Sequence, residues 1–148
     1  MKIGLRVRLQ DPDDPTQVIN AQFATLRSNP QLKDMLTNIA RLDVAESGAL
    51  KKLQHAAKKF DEEEGEGDIR GAVKELERAR LEADNATAQT LEAVHAFVVA
   101  GFKLAGASDE RAEELASIVD IERVDELKAR CVYGAGCLDF TKAAGQSK

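Results

Sequence analysis

The acidic stretch FDEEEGEGDI, residues 60–69, contains the residue types that bind calcium in EF-hand loops. Such loops need oxygen ligands at positions one, three and five, glycine at six, and a bidentate glutamate at twelve. With Gly67 at position six, position twelve falls on Val73, which offers no ligand atom. Three glutamates take the earlier positions: Glu62, Glu64 and Glu66. The stretch therefore predicts a solvated acidic connector, and a degenerate calcium-binding regulator is the alternative.

Glu92 and His95 form an E-x-x-H pair on one helical face. Di-iron carboxylate bundles use two such pairs together with glutamates from other helices. This chain has one pair, so Glu62, Glu64 or a second copy would have to supply the remaining ligands. A hydrogen-bonded histidine in an apolar helix explains His95 without a metal. We therefore predict no metal and no cofactor, and keep a di-iron-like helical bundle as an alternative function.

Cys131 and Cys137 are separated by five residues, whereas zinc sites use closer cysteine pairs and four ligands. Neither cysteine belongs to a C-x-x-C motif or a nucleophile–base motif, so both are predicted to be reduced structural thiols. The segment GAGCLDF lacks the third glycine of a dinucleotide-binding loop, and GEGDIRG follows four acidic residues that would repel phosphate. These observations favour a protein that is not an enzyme.

Basic residues concentrate in the first part of the chain. Residues 1–60 carry ten Lys/Arg and six Asp/Glu, and residues 61–148 carry eleven and twenty, so the two parts have charges of +4 and −9. A basic helical surface is predicted at Lys51, Lys52, Lys58 and Lys59. Such a surface suits an acidic partner, including the acidic part of a second copy. The net charge of −5 argues against a nucleic-acid binder.

The segment KIGLRVRL alternates between apolar and polar residues, which predicts a half-buried β-strand at the N-terminus. Arg6 and Arg8 lie on its outer face, and the apolar face carries Ile3, Leu5, Val7 and Leu9. A strand needs a neighbouring backbone. That neighbour is either a weak strand near CVYGAGCLDF or another chain, which would dock by β-augmentation.

The remainder of the chain has helical spacing. A first helix is predicted after Asp14 and Pro15, with Ile19, Phe23 and Leu26 as its apolar stripe. A second helix starts at Asn29–Pro30, and a third starts at a capping box formed by Asp43 and Glu46. Residues 69–105 form one helix or two, ending at Gly106. Ser108 caps the next helix, whose core face is formed by Ala112, Leu115, Ile118 and Val119.

The predicted fold is a mostly α, multi-helix bundle of about six or seven helices with one N-terminal β-strand. It forms a single domain over residues 1–148. The strand takes residues 1–10, a basic helical half 11–60, the acidic connector 61–67, an acidic helical half 68–140 and a flexible tail 141–148. No apolar run reaches the ~18 residues of a membrane span. We therefore expect a cytoplasmic protein, or one enclosed in a virion or compartment assembled from cytoplasm.

The segment LEAVHAFVVAGFKLAGASDERAEELASIV, residues 91–119, is an apolar helix, a turn and an acid-capped helix. It resembles phage tail-assembly chaperones over a fifth of the chain, without a specific motif that would assign a role to any residue. The whole sequence favours a non-enzymatic interaction or assembly protein. It is expected to form a homo-oligomer or bind a protein partner, with no nucleic-acid or membrane partner.

Overall fold

The computed structural model describes residues 4–62, 69–133 and 136–141. Within these residues the chain forms two strands, two long α-helices, two short α-helices with a 3₁₀ helix between them, and a last strand. In chain order the elements are β1 (Leu5–Gln10), β2 (Val18–Phe23), α1 (Leu32–Glu62), α2 (Ile69–Leu104), α3 (Asp109–Ile118), a 3₁₀ helix (Ile121–Arg123), α4 (Val124–Tyr133) and β3 (Gly136–Asp139). No described helix is both long enough and apolar enough to span a membrane. Apart from Thr141, the predicted tail lies outside the described residues.

The prediction of six or seven helices with one strand is wrong, because the described residues form four α-helices and a three-stranded sheet. Residues 18–23 were expected to be helical, but they form β2 and pair with β1. Their apolar residues Ile19 and Phe23 are four apart, a spacing that also fits one face of a strand. Asp14 accepts hydrogen bonds from the backbone and hydroxyl of Thr16, in a turn between the two strands.

The expected helix start at Asp43 and Glu46 is also wrong, because α1 runs unbroken through both residues. The prediction for residues 69–105 left open one helix or two, and they form the single helix α2. The end at Gly106 is confirmed. Gly106 has a positive φ of 116°, its amide donates to Lys103, and the amide of Ala107 donates to Phe102. These are the two hydrogen bonds of a Schellman motif.

Backbone contacts divide the chain into two compact units. We call residues 1–36 and 94–148 the sheet unit, and residues 37–93 the hairpin unit. Each long helix contributes to both: α1 enters the hairpin unit at Thr37, and α2 leaves it after Ala93. The two units differ in what fills their interiors.

β1 is the central strand of the sheet unit. It pairs with β2 in antiparallel register, from Leu5 opposite Phe23 to Gln10 opposite Val18. It pairs in parallel with β3, from Leu5 opposite Gly136 to Arg8 opposite Asp139. The strand order is therefore β2-β1-β3. β3 lies within the segment CVYGAGCLDF, which is one of the two neighbours predicted for the N-terminal strand.

The interior of the sheet unit is built from large side chains. Phe23 lies with its ring centre 5.5 Å from that of Phe97 and 5.2 Å from that of Phe102, and all three are fully buried. Gly101 of α2 lies directly against the Phe23 ring, and an added Cβ atom would overlap it. The close contact is reinforced by a 3.0 Å hydrogen bond from the amide of Ala24 to the carbonyl of Gly101.

Two short α-helices and the 3₁₀ helix between them complete the sheet unit. Ser108 caps α3 as predicted, since its hydroxyl accepts a 3.1 Å hydrogen bond from the amide of Arg111. Asp120 caps the 3₁₀ helix by accepting a hydrogen bond from the amide of Glu122. Ala112 and Leu115 are buried as expected, whereas Ile118 and Val119 are only partly buried. The buried face of α4 carries Val124, Leu127 and Cys131.

The hairpin unit consists of two antiparallel helical segments. Lys59 lies 3.2 Å from Glu75 and Lys52 lies 3.9 Å from Glu82, so residue numbers fall on α2 as they rise on α1. The seam between the helices follows alternating steps of three and four residues, the spacing of a coiled coil. On α1 the seam residues are Ile39, Leu42, Glu46, Ala49, Leu53, Ala56 and Phe60; on α2 they are Ala72, Leu76, Ala79, Ala83, Ala86, Thr90 and Ala93.

Small residues form the centre of this seam. Ala49, Ala56, Ala72, Ala79 and Ala83 are all buried, whereas the larger seam residues Leu42, Leu53, Phe60 and Leu76 are only partly buried. The buried Thr90 satisfies its hydroxyl by donating to the carbonyl of Ala86 at 3.0 Å. Alanine seams let two helix backbones approach closely, so the hairpin gains contact area from its backbone rather than from bulky side chains.

Candidate interaction surfaces

The predicted anchor residues of the N-terminal strand lie inside the sheet unit. Leu5, Val7 and Leu9 are fully buried, where they contribute to the core rather than to a surface. The backbone of β1 is hydrogen-bonded to β2 on one side and to β3 on the other. β1 therefore has no unpaired edge for β-augmentation, and the edges of the described sheet are β2 and β3. Ile3 lies outside the described residues.

The outer face of the sheet carries the two arginines of the strand. Arg6 and Arg8 are exposed, and Arg8 lies 3.3 Å from Asp139 of β3. Together with Cys137 and polar residues of β2 they line a shallow depression of about 170 Å³. This face is polar, and the ion pair between Arg8 and Asp139 joins two strands of the same sheet.

The four lysines predicted to form a basic surface divide into two pairs. Lys52 and Lys59 face α2, where each contacts a glutamate, as described above. Lys51 and Lys58, one residue earlier on α1, lie farther from the seam and are exposed. Half of the predicted basic surface is therefore neutralised within the hairpin, and exposed ion pairs of this kind contribute about 0–1 kcal/mol each.

These ion pairs define one side of the hairpin unit, which we call the charged flank. Over the buried Ala56 and Ala79 it forms a groove of about 440 Å³. The groove is lined by side chains of both charges: Lys51, Lys52, His55, Glu75, Arg78 and Glu82. Because lysines of α1 face glutamates of α2 across the seam, the charged flank stabilises the antiparallel pairing of the two helices.

The opposite side of the seam, which we call the open flank, has a different composition. Residues directly beside the seam are Asp43, Leu50 and Ala57 on α1 and Val73, Arg80 and Thr87 on α2. One position farther out are Ala40, Ser47 and Gln54 on α1, and Glu77, Asp84 and Leu91 on α2. Leu50 is 42% exposed and Leu91 is 46% exposed, both large apolar residues on this flank. Apolar residues beyond the seam are typical of helices that pack against more than one neighbour.

The candidate metal ligands are not brought together in the described part of the chain. His95 on α2 lies 2.8 Å from Glu113 on α3, a contact between two exposed side chains. Glu92 and Glu62 are exposed, and Glu64 lies outside the described residues. Among the described residues no three His, Cys, Asp or Glu side chains are grouped as metal ligands. Most of the acidic connector, including its calcium-like positions, also lies outside them.

The two cysteines occupy different environments. Cys131 is fully buried, and its thiol donates to the carbonyl of Ala24 at 3.4 Å. Burial raises the pKa of the Cys131 thiol, because the charged thiolate would lose its hydration. Cys137 is partly exposed on the outer face of β3. Both are free thiols.

The open flank was not found from the sequence, although a signal for it is present. Steps of three and four residues continue without interruption from Ile39 to Phe60 and from Ala72 to Ala93. A helix boundary at Asp43 would interrupt this repeat, so the predicted helices contain no coiled-coil seam. Once the seam is assigned, the flanking positions follow from the heptad pattern.

Comparison with known proteins gives no match: no family model fits the chain, and no curated protein or solved structure is similar to it. The surfaces described above are therefore interpreted from their own chemistry.

Proposed function

We propose that this chain is a non-enzymatic interaction or assembly protein, and that the open flank of the hairpin unit is its docking surface. The observation that carries this proposal is the exposure of Leu50 and Leu91. Both lie beside the seam, and neither is one of the residues through which α1 and α2 pack on each other. A helical partner laid along the open flank would remove both side chains from water.

The contrast between the two flanks supports this choice of surface. On the charged flank, Lys52 and Lys59 are paired with glutamates of the same chain. Binding a partner there would require competing with these contacts. On the open flank, burying a leucine side chain contributes about 1.5–3 kcal/mol relative to leaving it exposed.

The test is the solution mass of the protein, measured by sedimentation equilibrium across a range of protein and salt concentrations. We expect an assembly larger than the monomer, which is lost in the double variant Leu50→Glu/Leu91→Glu. The matched control is Val44→Glu/Leu81→Glu. These two large apolar residues are 75% and 62% exposed and lie on the outer faces of the helices, away from both flanks.

The control has the same change in charge and the same number of apolar residues removed, so it should retain the assembly. Circular dichroism of both variants establishes that each is folded. A protein that stays monomeric at all concentrations and co-purifies with no partner would contradict the proposal. An assembly that survives Leu50→Glu/Leu91→Glu would also contradict it.

A further inference from the structure

The order of residues along the open flank bears on which partner can bind there. This inference rests on the function proposed above, in which the open flank is the docking surface. Its α2 part is a second stripe in steps of four and three: Val73, Glu77, Arg80, Asp84, Thr87 and Leu91. A stripe with this spacing can pair with another helix in the same manner as a coiled-coil seam. The order of residue types along it determines which helix fits.

The stripe is complementary to itself when two copies are laid antiparallel. In the register that places Arg80 opposite Asp84 of a second copy, Asp84 also lies opposite the second copy's Arg80. The same register places Val73 opposite Leu91 at both ends, since the residue numbers of each pair total 164. Opposite charges therefore meet at the centre, and apolar residues meet at the ends.

The charged residues at the centre of the stripe are available for such contacts. Arg80 and Asp84 are both exposed, and neither makes an ion pair within the described part of the chain. If the register is shifted by one heptad, so that paired residue numbers total 157, Asp84 lies opposite the apolar Val73. A shift in the other direction, to a total of 171, places Arg80 opposite Leu91. Of these three registers, the one with a total of 164 matches both charges and apolar residues.

The α1 part of the open flank is compatible with the same two-fold arrangement. Its stripe consists of Ala40, Asp43, Ser47, Leu50, Gln54 and Ala57. The ion pairs Lys52–Glu82 and Lys59–Glu75 set the level of α1 against α2, so a two-fold axis midway between Arg80 and Asp84 crosses α1 near Lys52. This axis places Leu50 opposite Gln54 of the second copy and Ser47 opposite Ala57. Leu50 can then pack on the methylene groups of Gln54, and small residues face each other at Ser47 and Ala57.

The alternative two-fold arrangement, in which α1 packs on α2 of the second copy, brings unlike residues together. Its axis runs parallel to the helices, so it keeps the register of the hairpin, in which Leu42 is level with Thr90. The nearest pairing of the two stripes then opposes Leu50 to Asp84 and Asp43 to Leu91. Each leucine would face a carboxylate that loses its hydration. The arrangement in which α2 packs on α2 and α1 packs on α1 of the second copy is therefore favoured.

We infer that the docking partner is a second copy of this chain, joined by a two-fold interface in which α2 packs antiparallel on α2 and Arg80 pairs with Asp84 in both directions. A two-fold interface repeats every contact, so each favourable pair counts twice. The resulting assembly is a four-helix arrangement of two hairpin units.

Charge reversal tests this register directly. In Arg80→Glu, two acidic residues oppose each other at both pairs, and in Asp84→Arg two basic residues do so. Each variant alone should associate at least about tenfold more weakly than wild type. In the heterodimer formed by a mixture of the two variants, opposite charges meet at both pairs, and the apolar contacts are unchanged. The mixture should therefore form a heterodimer more readily than either variant forms a homodimer.

A double variant completes the test. Arg80→Glu/Asp84→Arg exchanges the two charges within one chain, so opposite charges meet again at both pairs of its own homodimer. This double variant should associate with an affinity close to that of wild type, although each single reversal weakens association. Raising the salt concentration should reduce the differences among these variants, since the contacts are exposed.

A tag of different mass on each single variant distinguishes the heterodimer from the two homodimers in sedimentation or native mass spectrometry. The controls are Lys51→Glu and Glu82→Lys, two reversals that lie outside the open flank. Both control variants should still associate as homodimers.

The outcomes separate this inference from the proposed function. Failure of the double variant Arg80→Glu/Asp84→Arg to restore association would overturn the register, and single reversals that leave the homodimer unchanged would do the same. In either case the proposed function stands if Leu50→Glu/Leu91→Glu still abolishes the assembly. If that substitution of both leucines has no effect, the proposed function itself fails.

Discussion

The two units of this protein have interiors of opposite character. The sheet unit buries Phe23, Phe97 and Phe102 completely, whereas the hairpin unit buries mainly alanine. In the hairpin unit the leucines of the seam are only partly buried and the other leucines are exposed, Leu81 to 62%. A core of large side chains uses its apolar residues for its own stability. A seam of small ones leaves apolar residues outside, where they can contact a partner.

The largest expected effect comes from truncating the main core residue of the sheet unit. Phe23→Ala removes a fully buried ring from contacts with Phe97, Phe102 and Gly101, and should lower the free energy of unfolding by about 3–5 kcal/mol. The comparison is Leu53→Ala in the hairpin seam, where a partly buried side chain should cost about 1–2 kcal/mol.

Urea denaturation followed by circular dichroism measures both values. Equal losses from the two substitutions would remove the distinction between a large-residue core and a small-residue seam.

Two helical glycines should respond to alanine with opposite signs. Gly101→Ala places a Cβ atom in the volume of the Phe23 ring, and should destabilise the sheet unit by about 1–3 kcal/mol. Gly48→Ala in α1 meets no atom within 4 Å, and should stabilise the hairpin by up to about 1 kcal/mol because alanine is the better helix former.

Thermal unfolding of the two variants beside wild type gives the signs. A stabilising Gly101→Ala would show that the Phe23 ring moves aside at little cost, and that the sheet unit is less closely packed than described.

The smallest expected effect is on the pH dependence of stability. A hydrogen bond from Arg123 lowers the pKa of the Glu126 carboxyl, so the folded state favours its charged form. This contribution is present above the ordinary pKa of glutamate, about 4.3, and is lost as the pH falls through the lowered value. Because Glu126 is 42% exposed, the change should be below about 1 kcal/mol.

Glu126→Gln should therefore reduce stability at pH 7 and have less effect at pH 3. Glu92→Gln, which changes another exposed glutamate, is the control and should leave the difference between the two pH values unchanged. A stability profile of Glu126→Gln that parallels wild type at all pH values would show that the Arg123 contact does not favour the folded state.

Local signals predicted part of this fold. The alternation of residues 2–9 predicted β1, and the caps at Gly106 and Ser108 were placed correctly because they depend on neighbouring residues alone. β2 was missed because Ile19 and Phe23 fit a helix as well as a strand, and its pairing with β1 decides between them. β3 has four residues, too few for a clear pattern.

The candidate site was harder to predict. The lysines of residues 51–59 were recognised, but which of them are paired depends on the register between α1 and α2. The open flank depends on the same register. A surface defined by two helices becomes visible only when the seam between them is known, and no single segment of sequence carries it.

The parallel pairing of β1 with β3 has a consequence for how the chain is made. Asp139 follows Arg8 by 131 residues. During synthesis, β1 and β2 leave the ribosome long before their third strand exists, while the chain elongates at about 5–20 residues per second. The edge of β1 that β3 will cover is unprotected for that interval, because the loop between the two strands must close before they can pair. Completion of the sheet is thus a late event, tied to translation of the C-terminal region.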